Sequence, residues 1–177
     1  VNSHVGHFNK TQPYEIGAAL SHYTVIKQSL LLGCDTLVVF EDDVKFHNDF
    51  NEKLDNYLDD APNWDMLMFY SFMYKLLPEN ERVSKRWIRS YNAWSLMAYV
   101  MNRYMMEEYI RSQDEFFTIA DSVTYKIQEN KNFSIYSAIP SLCIPETELG
   151  SNIRGQNLNY KYNPTIVNLG YSDDNYK

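Results

Sequence analysis

The chain has 177 residues, 45% hydrophobic and 22% charged, with a net charge of −7. Length and composition are those of one globular domain with a sizeable core. The acidic balance and the lack of a basic run exclude a general nucleic-acid binder, because phosphate contacts need clustered Lys and Arg.

Aromatics reach 15%, led by 15 Tyr; a Tyr-rich core and surface is the simpler reading, and sugar or nucleotide grooves are the functional one. Cys34 and Cys143 have no zinc-type spacing. A reduced, cytoplasmic protein is therefore the expectation. No apolar run approaches the roughly 20 residues of a membrane span, and no signal peptide is visible. The expected organisation is a single domain over 1–177, with a loop-rich tail from about 146.

Residues 1–13 are polar, and His4 and His7 there read as part of a solvated arm. Ile16, Ala19, Leu20, Tyr23, Ile26, Leu30 and Leu31 recur at helical spacing and predict a helix over 15–32, stopped by Gly33. Residues 36–40 predict a buried strand. Asn48 or Asp49 can cap a helix running through Leu58, closed by Pro62. Residues 65–70 predict a second, almost wholly apolar strand. A polar connection containing Pro78 follows, and 85–89 is the densest basic patch, read as a solvated face. Residues 89–101 are extended and aromatic. Asn102 can cap a helix over 103–111; another is predicted over 119–128, and a strand over 133–139 ends at Pro140. Continuous apolar strands alternating with helices predict an α/β fold with a mostly parallel sheet flanked by helices.

The segment Leu37-Val38-Val39-Phe40-Glu41-Asp42-Asp43-Val44 carries the strongest chemical signal. Three adjacent carboxylates repel one another unless a cation or solvent compensates. At the carboxyl end of a strand in an open α/β sheet, such a cluster stands where ligands bind. Its hard oxygens suit Mg²⁺ or Mn²⁺. The plainer reading is an exposed acidic turn before a helix.

Four blocks together resemble glycosyltransferase family 25, the lipopolysaccharide-type and procollagen galactosyltransferases. They are Glu15-Ile16-Gly17-Ala18-Ala19-Leu20-Ser21-His22; the strand with its Glu-Asp-Asp; Trp64-Asp65-Met66-Leu67 with the aromatic stretch 91–99; and Ile119-Ala120-Asp121 followed by 140–153. The resemblance implies a GT-A-like (Rossmann-like) fold and transfer of a hexose, galactose by family analogy, from a UDP-sugar to a glycan or other hydroxyl acceptor. It implies inversion, Mn²⁺ (or Mg²⁺), and a place in lipopolysaccharide-type biosynthesis. Asp43 matches the metal ligand, with Glu41 beside it. Glu41, Asp42, Ser21, His22 and Arg154 match donor-side positions.

Asp121 is the candidate catalytic base; its alternative is a first-turn or capping acid. His22 equally fits a satisfied structural histidine, Tyr91 and Trp94 fit packing as well as sugar stacking, and Arg154 fits a plain surface residue. The family's hydrophobic first strand is missing before Tyr14, which implies truncation or replacement. No His follows His47, so Asp173, Asp174, water or the diphosphate would complete a metal shell. The competing functions are an inactive carbohydrate-binding or scaffold relative and, behind it, a metal-dependent phosphoesterase.

Overall fold

Period-two alternation sorts the strand residues of this chain onto two covered faces of one sheet. The computed structural model describes residues 13–73, 82–91, 93–115, 118–130, 132–146 and 175–176. The strands are β1 (Thr36–Phe40), β2 (Val44–Phe46), β3 (Met66–Met68), β4 (Phe72–Met73), β5 (Trp87–Arg89), β6 (Ala93–Trp94), β7 (Ala98–Asn102), β8 (Ile135–Ala138) and β9 (Cys143–Pro145). The helices are α1 (Pro13–Leu31), α2 (Phe50–Asp59), α3 (Arg103–Glu115) and α4 (Ala120–Glu129).

The main sheet runs β1-β7-β3-β8-β5. Met66, Met68, Tyr99, Met101 and Ile135 pack with Ile26 of α1, Met105 and Tyr109 of α3, and Val123 and Ile127 of α4. Leu67, Phe69, Val100 and Tyr136 face the other way, toward Tyr57 of α2 and the β2–β9 ladder. Both faces being covered explains why these strands read as unbroken apolar runs.

The sheet is mixed rather than mostly parallel. Among the described residues only β3 and β8 run parallel in it; β1–β7, β3–β7 and β5–β8 are antiparallel. Hydrophobic content reports burial and carries no strand direction, which is how the expectation went astray. The expected buried strand 36–40 is also corrected. Among the described residues β1 pairs only with β7, and Val38 and Phe40 are exposed. The predicted core stripe of α1 narrows to Ala19, His22, Ile26 and Ser29, leaving Ile16, Leu20 and Leu31 exposed. The basic patch is not a solvated face: Trp87 and Ile88 are buried, and Trp87 Nε1 donates to the Tyr57 carbonyl at 2.8 Å. No helix among the described residues is long and apolar enough to cross a membrane.

Two predicted helix ends are confirmed in detail. Asn102 Oδ1 accepts the Met105 N–H at 2.9 Å, a capping bond at the third helical position. At the end of α1, Cys34 N–H donates to the Ser29 carbonyl and Gly33 N–H to the Leu30 carbonyl, both at 3.0 Å. This is the Schellman arrangement, and Gly33 takes the left-handed φ of 77° that it needs. A Cβ there would meet no atom within 4 Å. Gly33→Ala is therefore expected to lower stability by about 1 kcal/mol through backbone conformation alone, measured by urea unfolding.

Candidate functional site

The three carboxylates lie on the short connection between β1 and β2, and the backbone ties that connection at both ends. Glu41 N–H donates to the Met97 carbonyl at 2.8 Å, and Glu146 N–H donates to the Asp43 carbonyl at 2.6 Å. Lys45 and Glu146 add an ion pair at 2.9 Å. Phe40 and Phe46 flank the acids and meet edge-on with ring centroids 5.1 Å apart. An apolar clasp and a short ladder thus hold three like charges together. An open cavity of about 470 Å³ lies beside the clasp, lined by Phe40, Phe46 and Phe50 with Asn48, Asp49 and Asn51.

The three acids are not equivalent. Asp42 is exposed. Glu41 is partly exposed, and its Oε1 is engaged by His22 Nε2 at 2.9 Å. Asp43 is more enclosed, and its Oδ1 is buried with no hydrogen-bond partner among the described residues. Burial first, then the Glu41 charge, pushes the Asp43 carboxyl above its ordinary range; its own backbone N–H opposes this and Asp42 adds to it. A buried, unpartnered carboxylate oxygen beside two further acids is a donor set that fits a hard divalent cation. Among the described residues no three His, Cys, Asp or Glu side chains converge on one point. The fit is therefore to a cation taking few ligands from the protein.

His22 sits on the buried stripe of α1, only 5% exposed, and its Nδ1 lies 3.0 Å from the Tyr99 hydroxyl. Ser21 projects elsewhere: it is exposed, and its hydroxyl donates to the Gly17 carbonyl one turn back. Asp121 occupies the second position of α4, after Ile119 at the cap, so it is a first-turn acid and not the N-cap. It is half-buried, and its charge acts on the buried phenols of Tyr99 and Tyr109. Burial chiefly, with Asp121 adding, pushes the Tyr109 phenol well up. Hydrogen bonds thus join Glu41, His22 and Tyr99 from the end of β1, α1 and β7, with Asp121 of α4 near enough for its charge to act on Tyr99 and on Tyr109 of α3. Tyr99 and Tyr109 were not singled out from sequence. For Tyr99 the available signal was a tyrosine inside an almost wholly apolar strand, where the hydroxyl requires a partner; Tyr109 lies on the polar helix α3, and its buried hydroxyl has no hydrogen-bond partner among the described residues.

Asp65 is a structural clamp. Its Oδ2 accepts Ser134 N–H at 2.7 Å and its Oδ1 accepts Asn102 Nδ2 at 2.9 Å. Trp94 packs on Tyr125 with ring centroids 4.9 Å apart, and Arg89 lies over the Tyr91 ring. Arg154, Asp173, Asp174 and the 150–153 block lie outside the described residues, as do His4 and His7.

His47 points away from a metal role. Lys53 Nζ reaches its Nε2 at 2.7 Å, Asp49 N–H reaches its Nδ1 at 3.1 Å, and its ring packs edge-on against Tyr176. A neutral imidazole keeps one proton, so it accepts at one nitrogen only. The Asp49 N–H and the Lys53 ammonium are both donors, so they compete for that single lone pair. Burial, then the Lys53 ammonium, lowers the His47 pKa below 6.5, with Asp49 opposing. In this range the unfolded chain binds the extra proton. Stability is thus expected to be lost as pH falls through about 6.5 toward the folded-state value. His47→Gln should flatten that acid limb in thermal melts across pH; an unchanged slope would show that His47 does not set it.

A family model described as glycosyltransferase family 25 (LPS biosynthesis protein) matches residues 11–128. The match includes α1, the acidic connection and Asp121. The probable inactive glycosyltransferase 25 family member 3 of Bos taurus is 28% identical over 159 residues, covering 78% of this chain and 26% of that protein. The human inactive glycosyltransferase 25 family member 3 is 29% identical over 90 residues, covering 46% and 15%. The Rattus norvegicus relative, also named probable inactive, is 34% identical over 71 residues, covering 38% and 12%. The chain thus spans about a quarter or less of the length of these relatives. With the matched segment running through His22, the three acids and Asp121, the chain belongs to glycosyltransferase family 25.

Proposed function

We propose that the chain forms the donor side of a metal-dependent glycosyltransferase site, moving a hexose, galactose by family analogy, from a UDP-sugar to a glycan or other hydroxyl acceptor with inversion. The observation that carries the reading is Asp43, whose buried Oδ1 lacks a partner among the described residues, on a connection held at both ends. Asp43 would hold Mn²⁺ or Mg²⁺, which keep several non-protein ligands. Bound there, the ion supplies charge neutralisation for a departing diphosphate. Asp42, exposed beside it, is free to meet the donor's hydroxyl groups. Asp121 is the candidate to take the proton of the attacking hydroxyl. The cavity beside Phe40 offers aromatic faces and side-chain amides of the kind that hold a sugar.

A second reading has a specific observation in its favour: the matched relatives are named inactive. In that reading the same fold binds a nucleotide sugar or glycan without transferring it. Isothermal titration of UDP into the full chain, with and without Mn²⁺, tests the first half of the proposal. Mn²⁺-dependent binding supports it, and absence of binding overturns it. Turnover of UDP-galactose in the presence of acceptor then separates an active transferase from a binding relative.

A further inference from the structure

The histidine of α1 and the first acid of the cluster are 19 residues apart in sequence, yet they meet at 2.9 Å. Glu41, as a carboxylate, can only accept, so the contact requires a proton on His22 Nε2. In the neutral imidazole Nδ1 is then the acceptor, and the partner at 3.0 Å is the Tyr99 hydroxyl, which donates. Tyr99 is fully buried in β7, directly opposite Val39 of β1. Its ring also packs against the imidazole, with centroids 5.8 Å apart. Each member is placed by a different rigid element: Tyr99 by the sheet, His22 by α1, and Glu41 by its backbone bond to Met97. Such a chain determines both the tautomer and the ring orientation of the histidine.

The consequence falls on the acids. One oxygen of Glu41 is committed to His22, whereas Oδ1 of Asp43 has no partner among the described residues. We propose that Tyr99 and His22 are positioning residues for the acidic connection. Tyr99 fixes the Nε2–H tautomer of His22, and His22 holds Glu41 by one oxygen. Glu41 so held orients the loop without acting as a metal ligand, and Asp43 is left as the open oxygen. This rests on the proposed donor-side reading and deepens it, dividing the roles of two acids that the sequence offered together as metal ligands. The charge of Asp121 reaches both Tyr99 and Tyr109.

Two measurements on the full chain test the proposal. Nitrogen NMR of histidine-labelled protein at about pH 8, above the ordinary histidine range, is expected to show His22 as the Nε2–H tautomer, and Tyr99→Phe to lose that preference. Titration of Mn²⁺ with UDP is expected to show binding weakened about 10–100-fold in His22→Phe, the range for outer-shell partners. Tyr99→Phe should weaken it less. His22→Gln, whose amide can still donate to Glu41, should recover most of the affinity. Glu41→Gln should retain measurable binding where Asp43→Asn does not. A merely structural histidine would lower the melting temperature of these variants without this ordered pattern of affinities. An Nδ1–H tautomer, or equal loss of binding in Glu41→Gln and Asp43→Asn, would overturn the inference while leaving the donor-side reading intact. No Mn²⁺-dependent binding in the wild-type chain would overturn that reading itself, and the relay's role with it.

Discussion

Asp43→Asn is expected to abolish Mn²⁺-dependent UDP binding while raising the melting temperature of the metal-free chain. The two effects share one cause. Asp43 brings a buried, unpartnered oxygen next to Glu41 and Asp42. Without a cation, the charge is unfavourable because it is desolvated and faces like charges. A cation bound there, as proposed, would supply the counter-charge that this oxygen lacks. The loss should exceed the roughly 10–100-fold range of outer-shell changes, so at least about 100-fold in Kd. Calorimetric titration beside thermal scans with and without MnCl₂ measures both. An unchanged Kd would remove Asp43 from the site; a lower melting temperature without metal would refute the picture of a loop strained by its own charges.

The second large effect lies in the core. Gln128 of α4 is 4% exposed and pairs with the backbone of Ala93 as a strand would. Its Oε1 accepts Ala93 N–H at 2.9 Å, and its Nε2 donates to the Ala93 carbonyl at 2.8 Å. Gln128→Met keeps similar volume and strands both backbone groups, each at about 1–3 kcal/mol. A total loss of about 2–4 kcal/mol is expected once partial relaxation is allowed, or about 6–12 °C for a chain of this size. The damage should extend toward the acids. Ala93 opens β6, which leads through Ser95, held at a φ of 98°, to Met97, the residue that anchors Glu41. Urea unfolding gives the stability change, and a loss below about 0.5 kcal/mol, the level of ordinary surface substitutions, would show that the amide pair is dispensable.

Features encoded over a few residues were legible. The Gly33 stop, the Asn102 cap and the sites of all four described helices follow from local capping and periodicity. The predicted end of α3 fell a turn short because its last turn is polar in sequence. Gln113 in that turn is nevertheless fully buried, its Nε2 donating to the Thr118 carbonyl at 2.8 Å. β9 was missed because three residues, Cys143–Pro145, become a strand only through pairing with β2. The Asp65 clamp likewise draws its partners from Asn102 and Ser134, neither near it in sequence.

The sequence by itself determined which segments are apolar strands, where the four described helices lie, and that three acids follow an apolar strand. Side-chain spacing of two or 3.6 residues and the chemistry of caps suffice for that. Only the tertiary structure decided the strand directions, the edge position of β1 among the described residues, and the unequal surroundings of the three acids. Partners 19 and 77 residues from one another, Glu41 with His22 and His22 with Tyr99, leave no local trace in the chain. Packing α1 against β7 creates that juxtaposition; it engages one Glu41 oxygen, while Asp43 Oδ1 is buried without a hydrogen-bond partner among the described residues.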